Sequence, residues 1–165
     1  MAAEVKHGLP PVAPGDARLF ILGSLPGDAS LAAQSYYAHP RNHFWRLVGG
    51  VIGEDLAGLA YPDRIQRLQR NRIGLWDVVA RASRRGSLDQ AIRDAGHNAL
   101  AEYFATFPQL EAVAFNGATA AAAGRRLVGG NGLTLIDLPS SSPANTQALA
   151  AKAEAWAALK PYCGR

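Results

Sequence analysis

The sequence predicts an α/β fold of three layers, α/β/α, around a central four-stranded parallel sheet. Four apolar runs of strand length, residues 18–22, 73–79, 111–115 and 133–138, are nearly continuous, as strands buried on both faces are. Segments with helical spacing separate them, and that alternation builds parallel sheets covered on both sides. Beyond the carboxyl ends of the runs lie the loops 23–41, 81–86, 116–117 and 139–145, where ligands of such sheets gather, and three of these loops carry more polar residues than a turn requires.

The first run, Arg18-Leu19-Phe20-Ile21-Leu22, ends at Gly23-Ser24 and enters a loop, 25–41, that holds two prolines. Asn42 can then N-cap a helix whose apolar positions are Phe44, Trp45, Leu47, Val48, Val51 and Ile52. Pro62 stands where a second helix begins, with Ile65 and Leu68 on one face and arginines around them. After the second strand, residues 87–95 and 98–107 have helical spacing, with Gly96 as the break and Pro108 as the stop. Asn116-Gly117 turns the third strand into an alanine-rich helix that reaches about Leu127, where Gly129-Gly130 breaks it. A loop of Pro, Ser and Asn leads from the fourth strand to a last helix over 146–159. With neither repeat nor linker in view, one domain over 1–165 is expected, its first 17 residues loosely ordered.

Composition narrows the function. Lys and Arg outnumber Asp and Glu by 17 to 13, for a net charge of +4 and a pI near 9.6, which permits a polyanionic partner without requiring one. Cys163 is the only cysteine, which excludes an internal disulfide, a cysteine-held iron–sulfur cluster and a cysteine-rich zinc site. No segment approaches about 18 consecutive apolar residues, and the N-terminal stretch lacks the apolar core of a signal peptide, so a cytoplasmic protein without membrane contact is expected.

Chemistry concentrates in Tyr36-Tyr37-Ala38-His39-Pro40-Arg41-Asn42-His43-Phe44-Trp45. Rings that can stack, beside amide and guanidinium donors, suit a planar hydrogen-bonding ligand on a phosphate backbone, and a nucleobase fits that description. Together with Gly23-Ser24-Leu25-Pro26-Gly27-Asp28 after the first strand and Leu138-Pro139-Ser140-Ser141-Ser142-Pro143-Ala144-Asn145 after the last, this segment resembles the signature loops of the uracil-DNA glycosylase superfamily. The pattern GS-x-PG, then YYAHPRNHFW, then LPSSSPAN is most similar to the hypoxanthine-DNA (deoxyinosine) glycosylase branch, and the resemblance spans residues 18–159.

The resemblance implies a uracil-DNA glycosylase-like fold and the excision of a deaminated base, hypoxanthine or uracil or both, by hydrolysis of its N-glycosidic bond in DNA. It places Tyr37 under the flipped base, with Tyr36 as the fallback; either tyrosine can instead be a packing residue. It gives Asn42 the catalytic role, against a plain helix cap, and leaves Asp28 as a second group able to orient water or to sit as a solvated turn residue. Asp77 aligns with the Asn that reads uracil in relatives, and a carboxylate there can accept the N–H of a lactam edge; pairing with Arg81 or Arg84 is its structural alternative. Ser24 is expected against the base, while Arg41, His43, Ser140, Ser141, Ser142 and Asn145 are expected along the DNA, with Arg84-Arg85 and Arg125-Arg126 as solvated charge.

Two positions depart from the superfamily's usual pattern. Leu25 stands where Asp or Asn often positions water, and Leu138 where His or Asn often stabilises the departing base. His39 and His43 do not make a metal site, because Pro40 interrupts the helix between them and no third or fourth ligand lies at zinc spacing. The only lysines are Lys6, Lys152 and Lys160, none of them in a motif, so no Schiff-base chemistry and no strand cleavage is expected. A monofunctional, cofactor-free and metal-free monomer acting on DNA is the resulting expectation. Its alternatives are a damaged- or single-stranded-DNA binding module with weak or no catalysis, and a hydrolase of free nucleotides.

Overall fold

The computed structural model describes residues 4–129 and 131–164. In chain order the elements are β1 (Val5–His7), β2 (Leu19–Gly23), α1 (Asp28–Ala33), α2 (Phe44–Ile52), α3 (Tyr61–Arg70), β3 (Ile73–Asp77), β4 (Val79–Ser83), β5 (Arg93–His97), α4 (Leu100–Phe104), β6 (Ala112–Asn116), α5 (Ala118–Val128), β7 (Thr134–Leu138) and α6 (Leu149–Trp156). Short 3-10 turns follow β4 at Asp89–Ala91 and α6 at Ala157–Tyr162.

The four apolar runs pair in parallel in the order β3-β2-β6-β7, as the sequence predicts. Every residue of β2 and of β6 is buried, and the strand period of two divides them between two cores. Leu19, Ile21, Ala112 and Ala114 face Phe44, Trp45, Leu68 and Trp156 from α2, α3 and α6. Phe20, Leu22, Val113 and Phe115 face Leu100, Phe104, Ala120 and Val128 from α4 and α5. Gly74 makes room for Phe20, whose ring would lie 2.6 Å from a β-carbon at that position. The chain runs outward from β2 to β3 and later returns to β6 on the other side of β2, so a switch point opens between β2 and β6 at the carboxyl edge.

A second sheet was not legible in the sequence. The expected strand 73–79 divides at Val78: β3 belongs to the parallel sheet, and β4 joins an antiparallel sheet of order β1-β4-β5. The expected helix 87–95 is therefore a correction, for those residues form a 3-10 turn and the start of β5. The spacing of Leu88 and Ile92 imitates a helix face, but Leu88 is exposed, and Ile92 packs on the small cluster of Leu25, Val79 and Ala82 beneath the second sheet. Irregular register between β4 and β5, and Asp94 at φ 53°, mark β5 as a twisted edge.

Within residues 1–17, Val5–His7 pair with β4, and Val12 exchanges backbone hydrogen bonds with Leu75; residues 1–3 lie outside the described residues. The loop 25–41 contains α1, which Gln34 ends in the left-handed conformation. The last helix is shorter than expected, α6 passing into the 3-10 turn. Helix α5 ends at Gly129, and Gly130 lies outside the described residues.

Candidate active site

A cavity of about 420 Å³ opens at the switch point, within the range of small-ligand sites. Its floor comes from three strand ends, Gly23 of β2, Asp77 of β3 and Asn116 of β6, and its walls from Tyr36, Tyr37, Asn42 and Ser140–Ser142.

Tyr37 sits in the left-handed conformation, φ 54°, and its carbonyl accepts a hydrogen bond from Trp45 Nε1 at 3.2 Å. Its ring stacks on that of Phe44, centroids 3.8 Å apart and planes 11° from parallel. Phe44 is wholly buried and Tyr37 half-buried, so the core carries one face of the Tyr37 ring while the residue lines the cavity. Tyr36 is fixed differently: its hydroxyl donates to Pro10 O at 2.7 Å and its ring lies in the core. The packing role is therefore the one that the structure gives Tyr36, although its edge reaches the cavity wall.

Asp77 is 3% exposed, and its Oδ2 has no hydrogen-bond partner; the same holds for the buried Tyr37 hydroxyl. Both groups lie against Gly23, where a β-carbon would sit 2.6 Å from Asp77 Oδ1 and 3.0 Å from the Tyr37 hydroxyl, so glycine is needed there for packing. Burial pushes the Asp77 carboxyl up from 3.8 to about 7; Asp89 adds to the rise and Arg84 opposes it. Burial and the Asp77 charge likewise push the Tyr37 hydroxyl up, with the Asn116 amide acting the other way, so the phenol stays protonated. Ser24 Oγ donates to Asp89 Oδ1 at 2.6 Å, which places a second carboxylate at the wall.

Asn42 holds the start of α2 and lines the cavity. Its Oδ1 accepts the Phe44 N–H at 2.9 Å, which fixes the amide at the start of α2, and the residue lines both the cavity and an adjoining groove. Arg41, His43, Arg46 and Asn145 also line that groove. Lys152, wholly buried on α6, points Nζ at His43 Nδ1, 3.3 Å away, and donates to Ser142 O. An ammonium can only donate, so Nδ1 accepts and the His43 proton resides on Nε2. Burial, Lys152 and Arg46 all lower the His43 pKa, which keeps the ring neutral.

The 139–145 loop is clasped to the sheet through Asn116. Its Nδ2 donates to Ser141 Oγ and its Oδ1 accepts the Ser141 N–H, both at 2.9 Å, while Ser141 O accepts the His43 N–H at 3.0 Å. Ser141 is thus a buried structural link, whereas Ser140 and Ser142 remain half-exposed at the wall. Asn145 donates to Ser140 O at 3.0 Å and ties off the loop.

Three sequence-based assignments take another place. Asp28 turns away from the cavity into an ion pair with Lys6, N–O 2.6 Å. Arg84 is buried rather than solvated, donating to Leu25 O, Pro26 O and Gly86 O and so pinning the first loop. Arg125 pairs with Asp137 and lies over Phe115. Leu25 and Leu138 are both buried in apolar clusters. Asn116, Asp89 and Lys152 were missed. Asn116 had a signal as the polar end of a buried strand, and Lys152 falls with Leu149, Trp156 and Leu159 on the apolar face of its helix; Asp89 was hidden in the misread helix. Among the described residues no group of three or more His, Cys, Asp or Glu is placed to hold a metal ion, and no helix is long and apolar enough to cross a membrane.

The sequence matches the uracil DNA glycosylase superfamily over residues 10–160. The chain belongs to that superfamily. It is a DNA glycosylase, a hydrolase of N-glycosyl bonds, and the four-stranded parallel sheet flanked by helices is the superfamily's fold. Two relatives named hypoxanthine DNA glycosylase, from Methanosarcina barkeri and Methanosarcina acetivorans, are each 41% identical, over 92% and 94% of this chain and 96% and 98% of theirs. A solution NMR structure described as a candidate uracil DNA glycosylase from Methanosarcina acetivorans superposes with a TM-score of 0.86 at 41% identity, covering 95% of this glycosylase and 97% of that chain.

Proposed function

We propose that this glycosylase flips a deaminated base, with hypoxanthine the first candidate and uracil the second, out of DNA into the 420 Å³ cavity and hydrolyses its N-glycosidic bond without cutting the strand. The observation that carries the reading is the pairing of a core-backed ring, Tyr37, with a buried carboxylate whose Oδ2 has no partner, Asp77, in one cavity. The base stacks on the free face of Tyr37, extending the stack that Phe44 begins, and such stacking contributes about 1–3 kcal/mol towards the cost of extrusion. Ionised Asp77 accepts the lactam N–H of hypoxanthine or uracil. Adenine and cytosine, with a ring acceptor at that edge, leave the carboxylate facing a lone pair.

As the C1′–N bond breaks, its electron pair goes to the base and positive charge develops on the sugar. Stabilising the departing base matters more than a strong nucleophile, by analogy with other glycosyl transfers. Asn42, its Oδ1 held by the Phe44 N–H, donates from Nδ2 to the leaving base, while water bonds through its oxygen to C1′ and its released proton neutralises the departed base. Arg41 and neutral His43, donating from Nε2, grip phosphates along the groove, with the wall of Ser140 and Ser142 beside them. Lys152 and Asn116 position that wall.

Because Leu25 and Leu138 are both buried and apolar, a damaged-DNA binding module with little turnover is the second reading. Duplexes holding one deoxyinosine or one deoxyuridine, incubated with the protein and then treated with alkali, separate the two. Breaks at the modified position are expected; salt-sensitive binding with no abasic product from either duplex would establish the binding module instead.

A further inference from the structure

Lys152 is a wholly buried cation with no carboxylate beside it. It shares one face of α6 with Leu149 and Trp156, the face that packs on the core. Trp156 donates from Nε1 to Pro139 O at 2.9 Å and meets the Phe44 ring edge-on, so α6 is fixed both to the 139–145 loop and to α2. From that position Nζ bonds His43 Nδ1 and Ser142 O, each at 3.3 Å. None of the ion pairs among the described residues includes Lys152, Arg41 or Arg46, and no Asp or Glu lines the groove that Arg41, His43 and Arg46 share. Burying an ammonium without a carboxylate is costly, so its use lies in the two acceptors it holds.

His43 is held from two sides. Its backbone N–H is bonded to Ser141 O at 3.0 Å, and its Nδ1 meets the buried ammonium. The opposite ring nitrogen, Nε2, has no protein partner among the described residues, and the residue lines the groove. A neutral imidazole left to itself exchanges its proton between the two nitrogens, and the two tautomers offer a ligand opposite groups, a donor or a bare lone pair. An ammonium against Nδ1 removes that choice, because it can only donate. A second proton on the ring would set two cations face to face, and burial, Lys152 and Arg46 all lower the His43 pKa.

We propose that Lys152 is a positioning residue for DNA: through Nδ1 it locks His43 with its single proton on Nε2, so that the ring presents a fixed donor to one phosphodiester of the strand in the groove. The assignment rests on the reading above that DNA lies along this groove. It explains why the cation stands behind a histidine instead of in the groove itself. An exposed ammonium would take any phosphate within reach of a flexible stem, whereas a locked ring accepts one at a set place, one residue from Asn42, and so fixes the register of the strand against the cavity. Without the ammonium, Nδ1 and Ser142 O both lose their donor; a proton moved to Nδ1 would then turn a bare lone pair towards the phosphate.

The test joins the nitrogen-15 spectrum of the His43 ring, in which protonated and bare ring nitrogens separate, to the binding of a deoxyinosine duplex by the wild type, Lys152→Met, His43→Ala and the double variant. The wild type is expected to show the Nε2–H tautomer alone, with Nε2 shifting when duplex is added and not when inorganic phosphate is added at the same ionic strength. In Lys152→Met a proton appears on Nδ1 and duplex binding weakens roughly three- to tenfold; His43→Ala weakens it roughly tenfold, and the double variant no further than His43→Ala. A proton on Nδ1 in the wild type, unchanged binding by either single variant, or losses that add in the double variant would each overturn the lock. A shift produced by inorganic phosphate alone would make this a free-phosphate site and overturn the DNA assignment. Should Lys152→Met fail to fold, the wild-type spectrum and His43→Ala still decide. Duplex binding by the wild type without release of base defeats the excision reading alone, since the lock is read from binding and from the spectrum.

Discussion

At the residue scale, the site sets an amide that is already held, Asn42, beside two buried polar groups without a partner, Asp77 Oδ2 and the Tyr37 hydroxyl. Asn42 precedes the N-cap His43, and its amide plane is fixed by the Phe44 N–H, so removing the amide costs the fold one local hydrogen bond. Asn42→Ala is expected to lower single-turnover excision at least about tenfold while costing on the order of 1 kcal/mol of stability in urea unfolding. An unchanged rate would return Asn42 to capping alone. Tyr37→Ala removes the ring between Phe44 and the base, and excision from paired substrate should fall further than from single strands; equal falls would separate the ring from the cost of extrusion. Asp77 gives a pH signature. Its carboxyl is raised from 3.8 to about 7, so between those values the folded chain keeps a proton that the unfolded chain releases, and stability declines as pH rises through that window. Asp89 faces the same carboxyl and strengthens the rise, Arg84 weakens it, and Tyr36 and Tyr37 stay protonated beside it. Asp77→Asn should therefore be the more stable protein above pH 7 and should converge on the wild type as pH falls towards 4, the gap reading as roughly 2–4 °C of Tm per kcal/mol. Wild-type excision of hypoxanthine should fall as pH drops through about 7, where Asp77 loses the charge that accepts the lactam N–H, and Asp77→Asn should lack that limb.

At the element scale, the loops that form the site are held by buried polar anchors. Arg84 satisfies Leu25 O, Pro26 O and Gly86 O, and Arg84→Ala is expected to cost roughly 3 kcal/mol in urea unfolding, with Arg84→Lys failing to restore it because one ammonium cannot span the three carbonyls. A change under about 0.5 kcal/mol would mean that these carbonyls find water instead. The sequence carried the parallel sheet well, since β2 and β6 are buried on both faces and their apolar runs leave little choice. It carried β5 poorly. That strand is a polar edge with a left-handed residue, and Leu88 before it is apolar yet exposed, so the spacing imitated a helix. Arg84 and Lys152 were read as surface charge or passed over because burial of a cation depends on carbonyls contributed by distant loops, and periodicity cannot report those. The YYAHPRNHFW segment and the LPSSSPAN loop were legible as a site because each holds more rings or hydroxyls than a turn needs; their joining through Asn116 and Ser141 was not, since that clasp links residues 25 apart in sequence.

At the scale of the whole molecule, the switch point of a doubly covered sheet places an open, partly apolar cavity beside a basic groove, and the net charge of +4 favours a polyanion along that groove. Binding to DNA should weaken as salt rises, and Arg41→Ala should lessen the slope by about one phosphate contact. The lysines give no amine at the cavity: Lys152 is buried against Ser142 O, Lys6 is paired with Asp28, and Lys160 lies in the 3-10 turn after α6. Borohydride should therefore trap no covalent complex with substrate, and a trapped complex would replace direct hydrolysis with a lyase route. On the proposed mechanism, one cavity reads a lactam edge and releases the base that carries it. Its most direct test is a competition among duplexes holding a single deoxyinosine, deoxyuridine or deoxyxanthosine beside unmodified duplex, with the released free base identified by chromatography. Free hypoxanthine is expected, with uracil second, and no adenine or cytosine; release of adenine at a comparable rate, or no free base from folded protein, would overturn the lactam reading.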